Sequence, residues 1–136
     1  MNWEFSFSTR IHLAEDDAGL FIPLTISAAG RDVEMPGYLD TGSKYCVVPR
    51  WVGEHLGLNV EVGQATSLRT GAGLMPTYLH YVTLSIGDLT FEDVPICVAK
   101  YRDFDRCLVG RAGWLQKVRL NLIPYDEHLF LNLHGQ

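Results

Sequence analysis

The chain has 136 residues, 47% of them hydrophobic and 20% charged, the balance of an ordinary globular domain with enough apolar content for a real core. A net charge of -5, with lysines and arginines scattered singly, argues against a nucleic-acid partner. No long uncharged apolar segment occurs, which excludes a membrane-spanning helix.

Residues 1–5 carry neither a basic head nor an apolar stretch, and so predict no secretory signal. Cys46, Cys97 and Cys107 are odd in number and widely spaced, which fits reduced, mostly buried thiols in a cytoplasmic protein. No histidine lies near any of them in sequence, so a cysteine nucleophile is disfavoured. His12, His55, His80, His128 and His134 lack zinc-type spacing and read as surface or edge residues, with no metal expected.

Residues 5–13 alternate in part, with Phe5, Phe7, Thr9, Ile11 and Leu13 on one face, and read as a strand. A polar turn at 15–19 leads to a second strand over 20–28, and a turn at 29–32 to a return over 33–39. Pro36-Gly37 in that return suggests an edge or a bulge. Pro49 can open a short helix over 50–56, ended by Gly57, with Trp51, Val52 and Leu56 toward the core. A strand-like segment over 60–68 leads to Arg69-Thr70-Gly71-Ala72-Gly73. Two glycines one residue apart between strand-like flanks suggest a mobile hairpin tip.

Residues 78–86 and 89–99 form a further hairpin about Gly87-Asp88. A charged loop at 101–106 and the apolar Cys107-Leu108-Val109, broken at Gly110, follow. A short helix over 113–117, a strand over 118–123, a turn at 124–127 and a strand over 128–133 close the chain. Trp3, Trp51 and Trp114 read as core or interface anchors. The pattern is mainly β, with many short strands and one or two short helices, in a single domain over 1–136.

One segment within this order carries chemistry. Tyr38-Leu39 ends a buried strand that delivers Asp40 to a tight turn. Gly42 would permit a backbone conformation closed to other residues. Thr41 and Ser43 place hydroxyls where they can orient the carboxylate. Asp-Thr-Gly alone is a weak signal, since a turn-capping aspartate before glycine explains it as well.

Three elements in order are more specific. Asp40-Thr41-Gly42-Ser43, then Thr70-Gly71-Ala72-Gly73, then Leu108-Val109-Gly110-Arg111 with Gly113-Trp114-Leu115 behind it, resemble the retropepsin-like aspartic proteases over roughly residues 20–133. Residues 1–19 are then an N-terminal strand extension. The resemblance implies a closed β-barrel or sandwich with a flap hairpin, and an aspartic endopeptidase needing no cofactor. Asp40, Thr41 and Gly42 would be catalytic. Ser43, Thr70, Gly71, Ala72 and Gly73 would bind substrate, a peptide or unfolded polypeptide. Thr41 would bond across a two-fold, Ser43 would bond the outer carboxylate oxygen, and Leu74, Met75 and Val48 would shape pockets.

One Asp40 cannot be both general base and general acid, so the site is expected on the axis of a homodimer. The termini, with an alternating edge over 129–133, are the expected interface. The chain departs from the retroviral pattern at Lys44 and Ala112, where that pattern has acids. Arg111 thereby loses its expected partner, and is either solvated or in another ion pair. This points to a cellular or bacterial relative, and motivates a second reading: a catalytically silent domain used for dimerisation or peptide binding. A third reading, a small β-barrel ligand binder with Asp40 as a turn residue, is weaker.

Overall fold

A computed structural model describes residues 2–133, so the expectation for His134 lies outside the described residues. Eleven strands and one α-helix follow in chain order. They are β1 (Thr9–His12), β2 (Ala14–Asp16), β3 (Gly19–Ala28), β4 (Arg31–Leu39), β5 (Cys46–Val48), α1 (Arg50–His55), β6 (Gln64–Thr70), β7 (Gly73–Ile86), β8 (Leu89–Ala99), β9 (Cys107–Val109), β10 (Val118–Ile123) and β11 (His128–Leu133). Single 3-10 turns occupy Val60–Val62, Leu115–Lys117 and Pro124–Asp126.

Period-two alternation sets the strand faces. In β3, Ile22, Leu24 and Ile26 are buried while Pro23 between them is exposed. The main sheet runs β2-β3-β4-β9-β5-β8-β7-β6, and a further β3–β7 pairing closes six of these strands into a barrel. The closed β-barrel expected from the sequence is therefore present. A separate sheet, β1-β11-β10, joins the two ends of the chain. Most pairs are antiparallel, but β4–β9 and β5–β8 are parallel. The barrel and its neighbours enclose one core that includes Ile22, Val48, Val52, Leu56, Ile96, Val98, Trp114 and Leu131.

The helix over 50–56 forms as expected, and ends in a Schellman arrangement: Leu58 N–H reaches Gly53 O and Gly57 N–H reaches Glu54 O, each at 3.0 Å. Val52 and Leu56 are fully buried. Trp51 is not: it is 47% exposed, because the buried stripe of so short a helix is Val52, Gly53 and Leu56, and Trp51 lies about 100° off it. Trp3 is exposed too, and of the three tryptophans only Trp114 is a core residue.

Other expectations are corrected by tertiary context. Residues 5–8 are not strand; β1 starts at Thr9 and stops before Leu13, whose N–H turns instead to Glu127 O. The segment at 60–68 divides into a 3-10 turn and β6. The helix expected over 113–117 shrinks to one 3-10 turn because Gly113 (φ +87°) and Trp114 (φ -140°) leave helical backbone. The stretch 129–133 is no edge: β11 is the middle strand between β1 and β10.

Pro36-Gly37 is also internal, since β4 lies between β3 and β9. Pro36 opposes Pro23, and β9 starts pairing only at Gly37, so on that side the missing N–H removes no ladder bond. Gly37 is needed for closeness. A Cβ there would lie 2.3 Å from Leu24 Cδ2 and 2.5 Å from Val109 Cγ2. Gly37→Ala should therefore lower stability by roughly 1–3 kcal/mol through overpacking, read as a drop in denaturation midpoint with unchanged m-value.

Candidate active site

Asp40 follows β4 directly, and its N–H donates to Val109 O at 3.0 Å, one step beyond the Leu39–Val109 pair. A four-residue turn closes when Ser43 N–H donates to Asp40 O at 3.1 Å. Gly42 N–H donates to Asp40 Oδ1 at 3.1 Å, an Asx turn that fixes the carboxylate. Asp40 is half-buried, whereas Thr41 and Gly42 are exposed.

The chain leaving β9 straps this turn from behind. Arg111 N–H donates to Ser43 O at 3.0 Å, and Ala112 N–H to Lys44 O at 2.8 Å. The guanidinium of Arg111 turns back, donating from Nη1 to Thr41 O at 2.6 Å. Gly110 allows this approach, since a Cβ there would meet Tyr45 O at 2.3 Å. Its own carbonyl is buried and accepts from Trp114 Nε1 at 2.7 Å.

Several expected roles change. The Ser43 hydroxyl donates to Tyr45 O at 2.7 Å rather than to the carboxylate, because Tyr45 O lies within reach inside the same turn. The carboxylate is oriented by backbone instead. Gly42 does not sit in left-handed backbone; a Cβ would crowd Asp40 Oδ1 at 3.3 Å, so its small size is what the loop uses. Arg111 is neither merely solvated nor in an ion pair, but bound to a main-chain carbonyl.

Strands β6 and β7 form the expected hairpin, with Thr70 opposite Gly73 and Gly71-Ala72 at the turn. The Thr70 hydroxyl donates to Gly73 O at 2.9 Å and accepts from Ala72 N–H at 3.2 Å. Gly73 adopts φ +115°, which favours glycine; Gly71 has neither a positive φ nor a neighbour that would exclude a side chain.

A cleft of about 530 Å³ opens between this hairpin and the Asp40 turn. Asp40, Gly42 and Ser43 line it from below, and Thr70 and Gly71 from the tip. Thr41, Ala72 and Gly73 do not line it. Its apolar wall is Val47, Leu68, Met75 and Leu108. Met75 is thus placed as expected, but Val48 is a core residue and Leu74 faces a second hollow beside Tyr101 and Phe104. Leu68, Arg69 and Leu108 are cleft residues that sequence reasoning missed. The strand entering the hairpin tip was the available signal for Leu68 and Arg69. A larger hollow, about 680 Å³, lies elsewhere, between His12, Phe21, Met35 and Gly87, without any of these residues.

Side chains that could themselves act as nucleophiles are poorly placed. All three cysteines are free and buried. Burial pushes the Cys46 thiol up to about 11 and raises those of Cys97 and Cys107 as well. His80 is half-buried with Nε2 2.9 Å from Val60 O. Among the described residues no group of three or more His, Cys, Asp or Glu could hold a metal ion.

A family model described as aspartyl protease matches residues 22–112, which contain the Asp40 turn, the hairpin and the strap. The chain belongs to the aspartyl protease family. The crystal structure of a retropepsin-like aspartic protease from Rickettsia conorii matches this aspartyl protease chain with a TM-score of 0.67. The match covers 96% of this chain and 97% of that one at 18% identity, and shows a shared fold. No curated protein matches.

Arg111→Met, which keeps the stem and removes the bond to Thr41 O, should cost about 1–2 kcal/mol in denaturant unfolding. The raised thiols carry a pH prediction. Their stabilising contribution is complete below the unfolded-state value and is lost as pH rises through the folded one, so stability should fall as pH rises from 9.0 to about 11. Melting temperature measured across that range should decline less in Cys46→Ala.

Proposed function

We propose that this aspartyl protease chain is an aspartic endopeptidase, active as a homodimer in which Asp40 of each subunit supplies one of two catalytic carboxylates. The observation that carries the reading is the cleft itself. Among the described residues that line it, Asp40 is the one carboxylate, held by backbone beneath a hairpin tip. Peptide hydrolysis by paired acids needs a second carboxylate, and an identical subunit across a two-fold provides it.

In this mechanism the two carboxylates share one proton, since close like charges resist joint ionisation. The ionised group takes a proton from a water, and the resulting hydroxide equivalent attacks the scissile carbonyl carbon. The protonated group donates toward the carbonyl oxygen. Collapse of the tetrahedral intermediate then breaks the C–N bond, with a proton passing to the leaving amine.

Thr41, exposed beside Asp40, serves to bond the partner loop across the axis. Gly42 keeps the carboxylate uncrowded. Ser43, Thr70 and Gly71 line the cleft for an extended peptide or unfolded polypeptide that adds as a strand under the hairpin, while Ala72 and Gly73 shape the tip without facing it. The hairpin then acts as a flap that excludes water. Its free thiols suit a reducing, cytoplasmic setting.

Asp40→Asn should retain the fold by circular dichroism while cleavage of an unstructured polypeptide falls by roughly 10³-fold. Equal cleavage by variant and wild type would sink the mechanism. Wild-type specific activity should rise with protein concentration, as a dimer requires.

A further inference from the structure

The cleft carries a charge pattern opposite to that of the chain. The whole molecule bears -5, yet the one acid lining the cleft, Asp40, is joined there by two cations, Lys44 and Arg69. Both are exposed. A third cation, Arg111, binds the carbonyl of Thr41, one residue from Asp40. The ion pairs among the described residues join Arg50 and Arg102 to Glu54 and Glu61, and involve none of these three. The side-chain Nζ of Lys44 lies 5.2 Å from the centre of the Tyr45 ring. Among the described residues, then, neither of these two cleft cations is paired with a carboxylate.

The two come from opposite walls. Lys44 belongs to the Asp40 turn and Arg69 to the hairpin strand β6 above it. Leu68, Met75, Val47 and Leu108 supply apolar surface between them. An occupant that pairs with these cations while covering that surface is an extended chain with acidic side chains flanking an apolar centre.

We infer that Lys44 and Arg69 are specificity residues that select peptides carrying glutamate or aspartate near apolar residues at the cleavage point. This rests on the peptide-cleft reading above. A two-fold through Asp40 repeats both cations, so the preference falls on both sides of the scissile bond. Exposed ion pairs are individually weak and screened by salt, so the discrimination is modest and shrinks as ionic strength rises.

The test uses labelled decapeptides with an apolar centre and one Glu moved through the positions on either side, with matched Gln and Lys series. Binding to the Asp40→Asn chain is followed by fluorescence anisotropy, and cleavage by the wild-type chain by mass spectrometry. Both are run near pH 6, above the ordinary glutamate value of about 4.3. At the favoured positions Glu peptides should bind and be cleaved roughly fivefold better than Gln peptides, and Lys peptides worst. Lys44→Glu and Arg69→Glu should each reverse part of that order. Equal handling of Glu and Gln peptides, or no peptide binding at all, overturns the inference; equal handling with brisk cleavage leaves the peptidase reading intact. Glu-selective binding without any cleavage supports it and sinks the peptidase reading instead.

Discussion

The site depends on backbone packed against backbone. At Gly110 the chain leaving β9 comes so close to Tyr45 O that no side chain fits between them. That closeness lets Arg111 and Ala112 donate their N–H groups to Ser43 and Lys44, clamping the far limb of the Asp40 turn while β9 holds the near limb. Trp114, fully buried and edge-on to Phe91, satisfies the Gly110 carbonyl, so the clamp leaves that polar group paired. The carboxylate is positioned by main chain, whose geometry varies far less than that of a rotating hydroxyl. This is the preorganisation that charge-developing chemistry exploits.

The hairpin above the cleft is tied to the same framework. Its second limb, β7, is a 14-residue strand that also pairs with β8 and, beyond a register shift at Val82/Leu84, with β3 to close the barrel. One strand therefore runs from the barrel wall to the tip, and only the part near Thr70 and Gly73 stands free of other strands. The tip, with its exposed residues, thereby lies outside the pairings that fix the wall around Val47 and the Asp40 turn.

Lys44 and Arg111 give this chain its own electrostatic character. Where a retroviral pattern would pair an acid with the arginine, here the arginine finds a carbonyl on the opposite limb of the turn. The loop keeps its brace, and the positive charge is left unneutralised by any carboxylate of the turn. Lys44 adds to it. The surroundings of Asp40 are then cationic in an acidic molecule, which favours acidic chains approaching the cleft.

Much of this was legible in the sequence. Asp40-Thr41-Gly42 at a strand end, the glycine-bearing hairpin tip and Leu108-Val109-Gly110 are local patterns. Local patterns survive because turn chemistry and alternation act over a few residues. The chain alone thus determined a mainly β fold and the turn that carries Asp40. Tertiary structure decided the rest: that β11 is central, that Pro36-Gly37 lies inside the sheet, that Ser43 bonds Tyr45, and that Arg111 reaches Thr41. Each of these is a contact or pairing that depends on which strands become neighbours. That depends on barrel closure between segments far apart along the chain, and no short window of residues records it.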